Sequence, residues 1–229
     1  TRSTQMAQAR PILGYWNIRA FDRGNVNRYI MAYAGVDYEE KRYDFDNNKA
    51  EWSEGDKMSL GLDYPNLPYI IDGDFNLTES AAVTMYICDK WAPALMGSNH
   101  AERARVIQLQ CVLKDAFLGF LMPAFQGKGQ EVVKGLAMEK IAKPAEYLAD
   151  KNFLTGDNVC MADFILYEFV ETVLAMHHDR SLFVTHPNLE PFHARIKALP
   201  NMAAYFASDK FLAMPFFIPA ANLDMQMPQ

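Results

Sequence analysis

The spacing of apolar positions divides the chain into two regions. Before residue 92, short apolar runs of strand length alternate with helical stripes, and beyond it helical spacing dominates. Residues 11–16 predict a buried first strand. Residues 36–43 predict a second strand, whose charged middle favours an edge position. A helical stripe from residue 26 to 33 separates the two, and Gly35 is placed to end it.

A hairpin followed by a helix is the clearest signal in the first region. Asp72-Gly73 between apolar runs predicts a tight turn. Pro68 cannot donate to a sheet, so it predicts the start of a strand, and a cis bond there would turn the Leu67 backbone toward a ligand. Ser80 offers a cap for a helix over residues 80–91. A free peptide edge beside a helix N-terminus suits a peptide-like, anionic ligand.

The order of elements, β-α-β-(α)-β-β-α, predicts a small α/β layer on a mixed sheet. Residues 92–100 read as a linker, and only helices are predicted beyond it. Residues 161–176 are apolar all round, which predicts a central buried helix. The helix over 131–150 is expected to be interrupted by Pro144. The tail from Phe211 is apolar but broken by prolines, so it is expected to pack over the surface of the protein. The other predicted helices run through residues 106–121, 188–199 and 202–207.

Composition narrows the class of protein. Half of the 229 residues are hydrophobic, which allows a sizeable core, and no apolar run reaches the length of a membrane span. The net charge of −6 argues against nucleic acid or an anionic membrane as the main partner. Three dispersed cysteines suit a reducing compartment and predict neither a dithiol centre nor a structural zinc site. Residues 1–9 are polar and are left out of the fold prediction as a tail, tag remnant or processed end.

Several short stretches form recognisable motifs. In the first region they are residues 12–19 (Ile-Leu-Gly-Tyr-Trp-Asn-Ile-Arg), 38–43, 60–73 and 77–80, and in the second they are 153–157, 162–164 and 187–189. Together these motifs resemble the mu class of cytosolic glutathione transferases. The resemblance covers roughly residues 11–215. It implies a fold that is α/β plus all-α. Residues 10–91 would form a thioredoxin-like glutathione-binding domain with a mixed four-stranded sheet, and residues 99–229 a helical bundle that binds the electrophile.

The resemblance also implies roles for individual residues. The hydroxyl of Tyr15 would donate to the glutathione sulfur and stabilise its thiolate, since a phenol with a pKa of about 10 stays protonated. Favouring the thiolate by two pKa units takes about 2.7 kcal/mol. Glutathione is then a co-substrate, and the chemistry needs no further cofactor or metal. The other glutathione-binding positions implied are Trp16, Trp52, Lys57, Asn66, Leu67, Glu79, Ser80 and Asp115. Phe21 and Phe125 would line the electrophile pocket, and Tyr64 would contact a partner subunit, which implies a homodimer.

The sequence departs from the mu-class pattern at a few of these positions. Glu79 replaces a glutamine, and Ala20 replaces a glycine before a loop two residues longer, which carries Asp22 and Arg23. Phe125 stands where the family has a pocket tyrosine. These changes leave open the polarity of the pocket and whether activity is retained. A further departure is Cys160, which replaces a capping serine or threonine.

Each candidate also has an ordinary structural interpretation. Tyr15 alone would be a core phenol, the tryptophans packing residues, and Lys57 a surface lysine. Asn66 would be a turn residue and Ser80 a plain helix cap. Asp115 would equally suit a salt bridge between subunits. The run His177-His178-Asp179 is interpreted as a helix end, because adjacent residues do not share a helix face.

The favoured prediction is a cytoplasmic, homodimeric glutathione transferase that adds the glutathione thiolate to small hydrophobic electrophiles in detoxification. Its partners would be glutathione, the electrophile and a second copy, with no nucleic acid or membrane. Two alternatives remain at this point. One is a non-catalytic binding or structural subunit built on the same fold, and the other is a glutathione-dependent isomerase.

Overall fold

A computed structural model describes residues 9–19 and 23–228, and its first region contains one mixed four-stranded sheet. The strands are β1 (Ile12–Trp16), β2 (Glu39–Tyr43), β3 (Tyr69–Asp72) and β4 (Phe75–Thr78). Their order is β2-β1-β3-β4, with β1 parallel to β2 and antiparallel to β3. The predicted mixed sheet is confirmed, and charged β2 lies at its edge.

Three helices accompany this sheet. They are α1 (Asn25–Tyr33), the short α2 (Lys57–Ser59), which follows a π-helical turn over Glu51–Asp56, and α3 (Ser80–Trp91). Gly35 ends α1 at φ +65° and Gly73 closes the β3–β4 hairpin at φ +63°, a region that glycine adopts without strain. The Leu67–Pro68 bond is cis.

The second region of the described chain is helical. Its helices are α4 (His100–Phe125), α5 (Gln130–Leu148), α6 (Met161–His177), α7 (Ser181–Thr185), α8 (Leu189–Lys197) and α9 (Met202–Phe206). Every residue from Met161 to Met176 is buried, because α6 packs against α1, α4, α5 and α8 at once. The prediction of a central buried helix is confirmed.

The structure corrects one predicted detail and adds two. Pro144 does not interrupt α5, which is continuous. Proline removes one backbone donor, but Pro144 is itself buried in the apolar face that holds α5 against its neighbours. The five-residue α7 was not predicted, since it is too short to show a period. The linker is packed as a 3-10 turn (Pro93–Met96), with Leu95 and Met96 buried. The domain boundaries at residues 91 and 99 stay a prediction.

Among the described helices, α4 is the one that is long and apolar enough to cross a membrane by length and composition. An 18-residue window within it has a mean hydropathy of 1.3, and a third of that window is buried. A core helix passes the same test, so this property alone is weak evidence for a membrane span.

A buried charge cluster joins the segment after β1 to α6. Arg19 is fully buried and donates to Glu168 through Nε (2.9 Å) and Nη2 (2.6 Å). Tyr29 and Asn25 of α1 donate to the same carboxylate at 2.8 and 3.0 Å. Because a buried charge is costly without partners, this cluster fixes α6 relative to the end of β1.

The C-terminal tail packs over the same cluster. The Arg19 backbone N–H donates to the Pro215 carbonyl at 2.9 Å, and its guanidinium lies 4.1 Å from the centroid of the buried Phe216 ring. Further along, the Gln226 N–H donates to the Ala175 carbonyl at 2.8 Å. The expected draping of the tail is therefore observed.

Candidate functional site

The strand register places several of the predicted site residues at the same end of the sheet, where β1 ends and β3 begins. Tyr15 and Trp16 end β1, and Trp16 pairs with Tyr43 at the end of parallel β2. Gly14 pairs with Tyr69 in antiparallel β3, so continuing that register places Tyr15 opposite Pro68. Because β4 runs antiparallel to β3, its last residues lie at this same end of the sheet, and α3 begins there.

Tyr15 is 3% exposed, yet its side chain lines a cavity beyond the sheet edge. A Cβ on Gly24 would overlap the Tyr15 ring, so the missing side chain lets the start of α1 pack against it. The buried Arg28 guanidinium lies 6.0 Å from the ring centroid. Arg28 also donates to the backbone carbonyls of Trp16 (3.0 Å) and Ile18 (2.7 Å), which holds the segment after β1 in place.

Trp52 and Lys57 lie in the segment that joins β2 to β3. Trp52 is 6% exposed and stacks on Tyr69, with the ring centroids 6.0 Å apart. The Tyr43 hydroxyl donates to Asp56 at 2.6 Å, and burial together with that hydrogen bond raises the pKa of Tyr43 well above its ordinary value. These contacts anchor the turn beneath Lys57, which is exposed at the first position of α2.

Asn66 and Glu79 connect the start of β3 to the start of α3. Asn66 Nδ2 donates to Glu79 Oε1 at 2.9 Å, and Asn66 Oδ1 accepts the Leu67 N–H at 2.9 Å. Glu79 has φ +72°, a strained value for a residue with a side chain. Such strain concentrates at ligand-binding positions, where the surrounding structure holds it. Ser80 follows as the first residue of α3.

Not all the predicted residues join this group. Tyr64 lies in the loop before β3 with 78% of its surface exposed. Asp115 is exposed on α4 and makes no hydrogen bond or ion pair with any described residue. Phe21 falls outside the residues that the structure describes.

An apolar cavity of about 240 Å³ lies between the end of β1, α4 and the tail. Phe125, which was expected to line an electrophile pocket, lies at the last position of α4 and is one of the residues that line this cavity. Other lining residues were missed, although several lie on the same helical stripe and could have been found by extending it back from residue 125 in steps of three and four. The principal additions are Ile18, Arg23, Phe45, Lys114, Phe117, Leu121, Phe217 and Ile218.

The site therefore has two adjoining parts. One is a polar edge made by the Leu67 backbone, the Asn66–Glu79 bridge and the N-terminus of α3, which suits an anionic, peptide-like ligand. The other is the apolar cavity, and Tyr15 lies between the two. Within the described ranges no group of three or more His, Cys, Asp or Glu side chains could hold a metal ion.

Fold and site define a class of protein in which a thioredoxin-like domain precedes a helical domain. Solved structures share this architecture. The glutathione S-transferase Blo t 8 superimposes with a TM-score of 0.79 at 22% identity, covering 93% of this chain and 99% of the other. A pi-class glutathione S-transferase of Onchocerca volvulus superimposes with a TM-score of 0.76 at 19% identity, over 93% and 99% of the two chains.

Sequence comparison identifies the family. Models of the N-terminal and C-terminal domains of glutathione S-transferase match residues 11–89 and 119–209. A mu-class 26 kDa isozyme of Fasciola hepatica is 35% identical, covering 89% of this chain and 91% of its own. Glutathione S-transferase Mu 1 of Oryctolagus cuniculus is 33% identical, covering 92% and 96%. The chain belongs to the glutathione S-transferase family, and the resemblance to the mu class is confirmed.

Proposed function

We propose that this protein transfers the thiolate of glutathione to small hydrophobic electrophiles, with Tyr15 stabilising the thiolate. The observation that carries the proposal is the position of Tyr15 between the polar edge and the apolar cavity. A thiolate bound along that edge would face an electrophile in the cavity. Membership of the glutathione S-transferase family supports the same reaction.

The polar edge supplies groups for each end of glutathione. At the N-terminus of α3, Ser80 and the backbone amides suit the γ-glutamyl carboxylate, and Glu79 suits its ammonium group. Asp115, which has no partner among the described residues, would add a second acid for that ammonium from a neighbouring subunit. The Leu67 backbone would pair with the cysteinyl part, once its N–H exchanges the Asn66 oxygen for the ligand.

The glycine end of glutathione carries a carboxylate. The indole N–H groups of Trp16 and Trp52 and the ammonium of Lys57 are donors suited to it. Lys57 is exposed, and the packed Trp52 turn fixes the start of α2 from which it extends. We assign these three residues to that end of the ligand.

Tyr15 acts in the reaction by donating a hydrogen bond to the sulfur. In an ionised glutathione the donated O–H stabilises the thiolate, because a hydrogen bond to the charged form favours that form. A hydrogen bond to a charged group contributes about 1.5–3 kcal/mol. The thiolate then attacks an electrophile held in the cavity by Phe125 and its apolar neighbours.

Replacement of the phenol tests this role. Tyr15→Phe should keep glutathione affinity within about twofold, raise the pKa of the bound thiol, and lower turnover of an aryl halide about ten- to a hundredfold. Thiolate absorbance against pH and steady-state kinetics measure the two effects. Tyr147→Phe, on α5, is the matched control and should behave as wild type. Unchanged turnover in Tyr15→Phe would remove the assigned role, and wild-type glutathione binding without any turnover would favour a non-catalytic subunit.

We also propose a cytoplasmic homodimer that acts in detoxification. Tyr64 is 78% exposed and Val112 on α4 is 46% exposed, and both are apolar side chains suited to a partner subunit. Tyr64→Ala should shift the mass measured by sedimentation from dimer toward monomer at micromolar concentration. The exposed Val184→Ala on α7 is the control. A wild-type chain that sediments as a monomer would contradict the proposal.

A further inference from the structure

Among the described residues that line the cavity beside Tyr15, two carry cationic side chains and most of the others are apolar. Arg23, just before α1, and Lys114, on the inner stripe of α4, both line it. Neither forms an ion pair with a described residue, whereas Arg28, Lys90 and Arg103 each pair with a carboxylate. No carboxylate is found among the described residues that line the cavity. Within the described part of the chain, two positive charges without a carboxylate partner therefore line a cavity whose wall is otherwise mostly hydrophobic.

A hydrophobic cavity with cations in its wall favours an amphipathic anion. Apolar side chains such as Phe117 and Leu121 on α4 and Ile218 on the tail provide the surface for an aromatic or alkyl body. Lys114 is half-buried, and a partly desolvated ammonium attracts a carboxylate more strongly than one in water does. Asp115, the next residue, is exposed and does not line the cavity, so it does not neutralise this wall.

We propose that the preferred electrophiles are hydrophobic molecules carrying a carboxylate or a similar anionic group, which Lys114 and Arg23 bind. This inference rests on the proposed transferase function and names its substrate class. The anionic group would be held by the two cations while the reactive carbon faces the sulfur near Tyr15. Lys114 and Arg23 would thus hold the negative group within the cavity that Tyr15 also lines.

A matched pair of substrates tests the preference. The pair is 4-chloro-3,5-dinitrobenzoate and its methyl ester. With either substrate the glutathione thiol loses its proton to solvent, its sulfur forms a bond to the chlorine-bearing carbon, and chloride departs with the electron pair of the carbon–chlorine bond. Each kcat/KM is divided by the uncatalysed rate constant with glutathione, because the ester is intrinsically more reactive. We expect this normalised value to favour the acid about tenfold, and the preference to shrink as ionic strength rises.

Variants assign the preference to the two cations. Lys114→Gln and Arg23→Gln should each lower the acid-to-ester ratio several-fold, and the double variant should abolish the preference. Lys114→Arg should retain it, because the charge is kept. Lys143→Gln, which removes an exposed lysine of α5 paired with Glu146, is the matched control and should leave the ratio unchanged. Melting temperatures confirm that each variant is folded.

The outcomes separate the inference from the function on which it rests. If both substrates react but the ratio is one, or is unaffected in the double variant, the inference is wrong and the transferase function stands. If Lys114→Gln lowers the normalised kcat/KM equally for both substrates, the Lys114 cation stabilises the glutathione thiolate and does not bind the substrate. The inference is again wrong in that case. If neither substrate reacts, the transferase function fails.

A binding measurement keeps the inference testable in that last case. Calorimetry with 4-phenylbenzoate and 4-phenylbenzamide compares an anionic and a neutral ligand of nearly equal shape. The wild type should bind the acid about tenfold more tightly than the amide. The double variant should bind the two ligands equally tightly. Equal binding to the wild type would overturn the inference whether or not the protein is a catalyst.

Discussion

Cys160 caps α6 with an atom that accepts hydrogen bonds poorly. Its own N–H donates to Asp163 Oδ2 at 2.8 Å, and Asp163 Oδ1 accepts the Leu154 N–H at 2.8 Å, so the carboxylate half of the cap is fully used. Burial raises the pKa of Asp163 to about 6. The other half of the cap depends on a thiol sulfur, which is a weak acceptor.

A hydroxyl at position 160 should strengthen this cap. Cys160→Thr is expected to stabilise the fold by about 1 kcal/mol, because the Oγ1 atom would accept the backbone N–H three residues on. Chemical denaturation of the two proteins measures the difference. Cys111→Ser, at an exposed position of α4, should change the free energy of unfolding by less than about 0.5 kcal/mol. An unchanged or lower stability of Cys160→Thr would refute the argument.

Predictions for single residues were correct where a backbone conformation strongly favours one residue type. Gly35 and Gly73 were placed correctly because a helix end and a tight turn both need a positive φ. Lys114 was not identified, although it lies on the stripe that contains Phe125. The type of a residue says nothing about whether its charge faces solvent or a cavity when the opposing wall comes from the distant tail.

At the level of elements, the start of α3 combines strain with ligand-binding groups. Glu79 has φ +72° directly before the helix, and its side chain is held by Asn66. A non-glycine residue in this region costs about 1 kcal/mol or more. The surrounding β4–α3 junction therefore stabilises a conformation that this residue disfavours, and it does so where the proposed glutathione site begins.

Two substitutions at this position separate strain from binding. Glu79→Ala and Glu79→Gly both remove the carboxylate and should both weaken glutathione binding several-fold, since the ammonium group loses a partner. Only the glycine variant also relieves the backbone, so it should be about 1 kcal/mol more stable than the alanine variant. Calorimetric titration and thermal denaturation measure the two effects. Equal stabilities would show that φ +72° carries no strain here.

At the scale of the whole molecule, one buried carboxylate connects three distant parts of the chain. Glu168 of α6 accepts from Arg19 after β1 and from Tyr29 of α1, while Arg19 also contacts the tail residue Phe216. The Arg19 and Glu168 side chains are both fully buried. Removing one partner of such a pair is costly, because the other charge stays buried without compensation.

Loss of this charge should therefore destabilise the protein and loosen the site. Glu168→Gln is expected to lower the free energy of unfolding by about 3 kcal/mol and to reduce turnover, because Arg19 lies four residues beyond Tyr15. Glu190→Gln is the matched control, since it breaks an exposed ion pair with Arg180 and should cost less than about 1 kcal/mol. Urea unfolding measures both. Equal effects of the two variants would mean that the buried cluster does not hold the two regions together.

The sequence by itself determined the order of the elements, the edge position of β2, the hairpin, the central helix and the family. These depend on apolar period, turn chemistry and contiguous motifs, which are local properties of the chain. Only the tertiary structure decided that α5 continues through Pro144, that Arg19 is paired with Glu168 at a separation of 149 residues, and that Lys114 and Arg23 share an apolar cavity. Burial and electrostatic environment arise from surfaces that meet only after folding, so no local pattern encodes them.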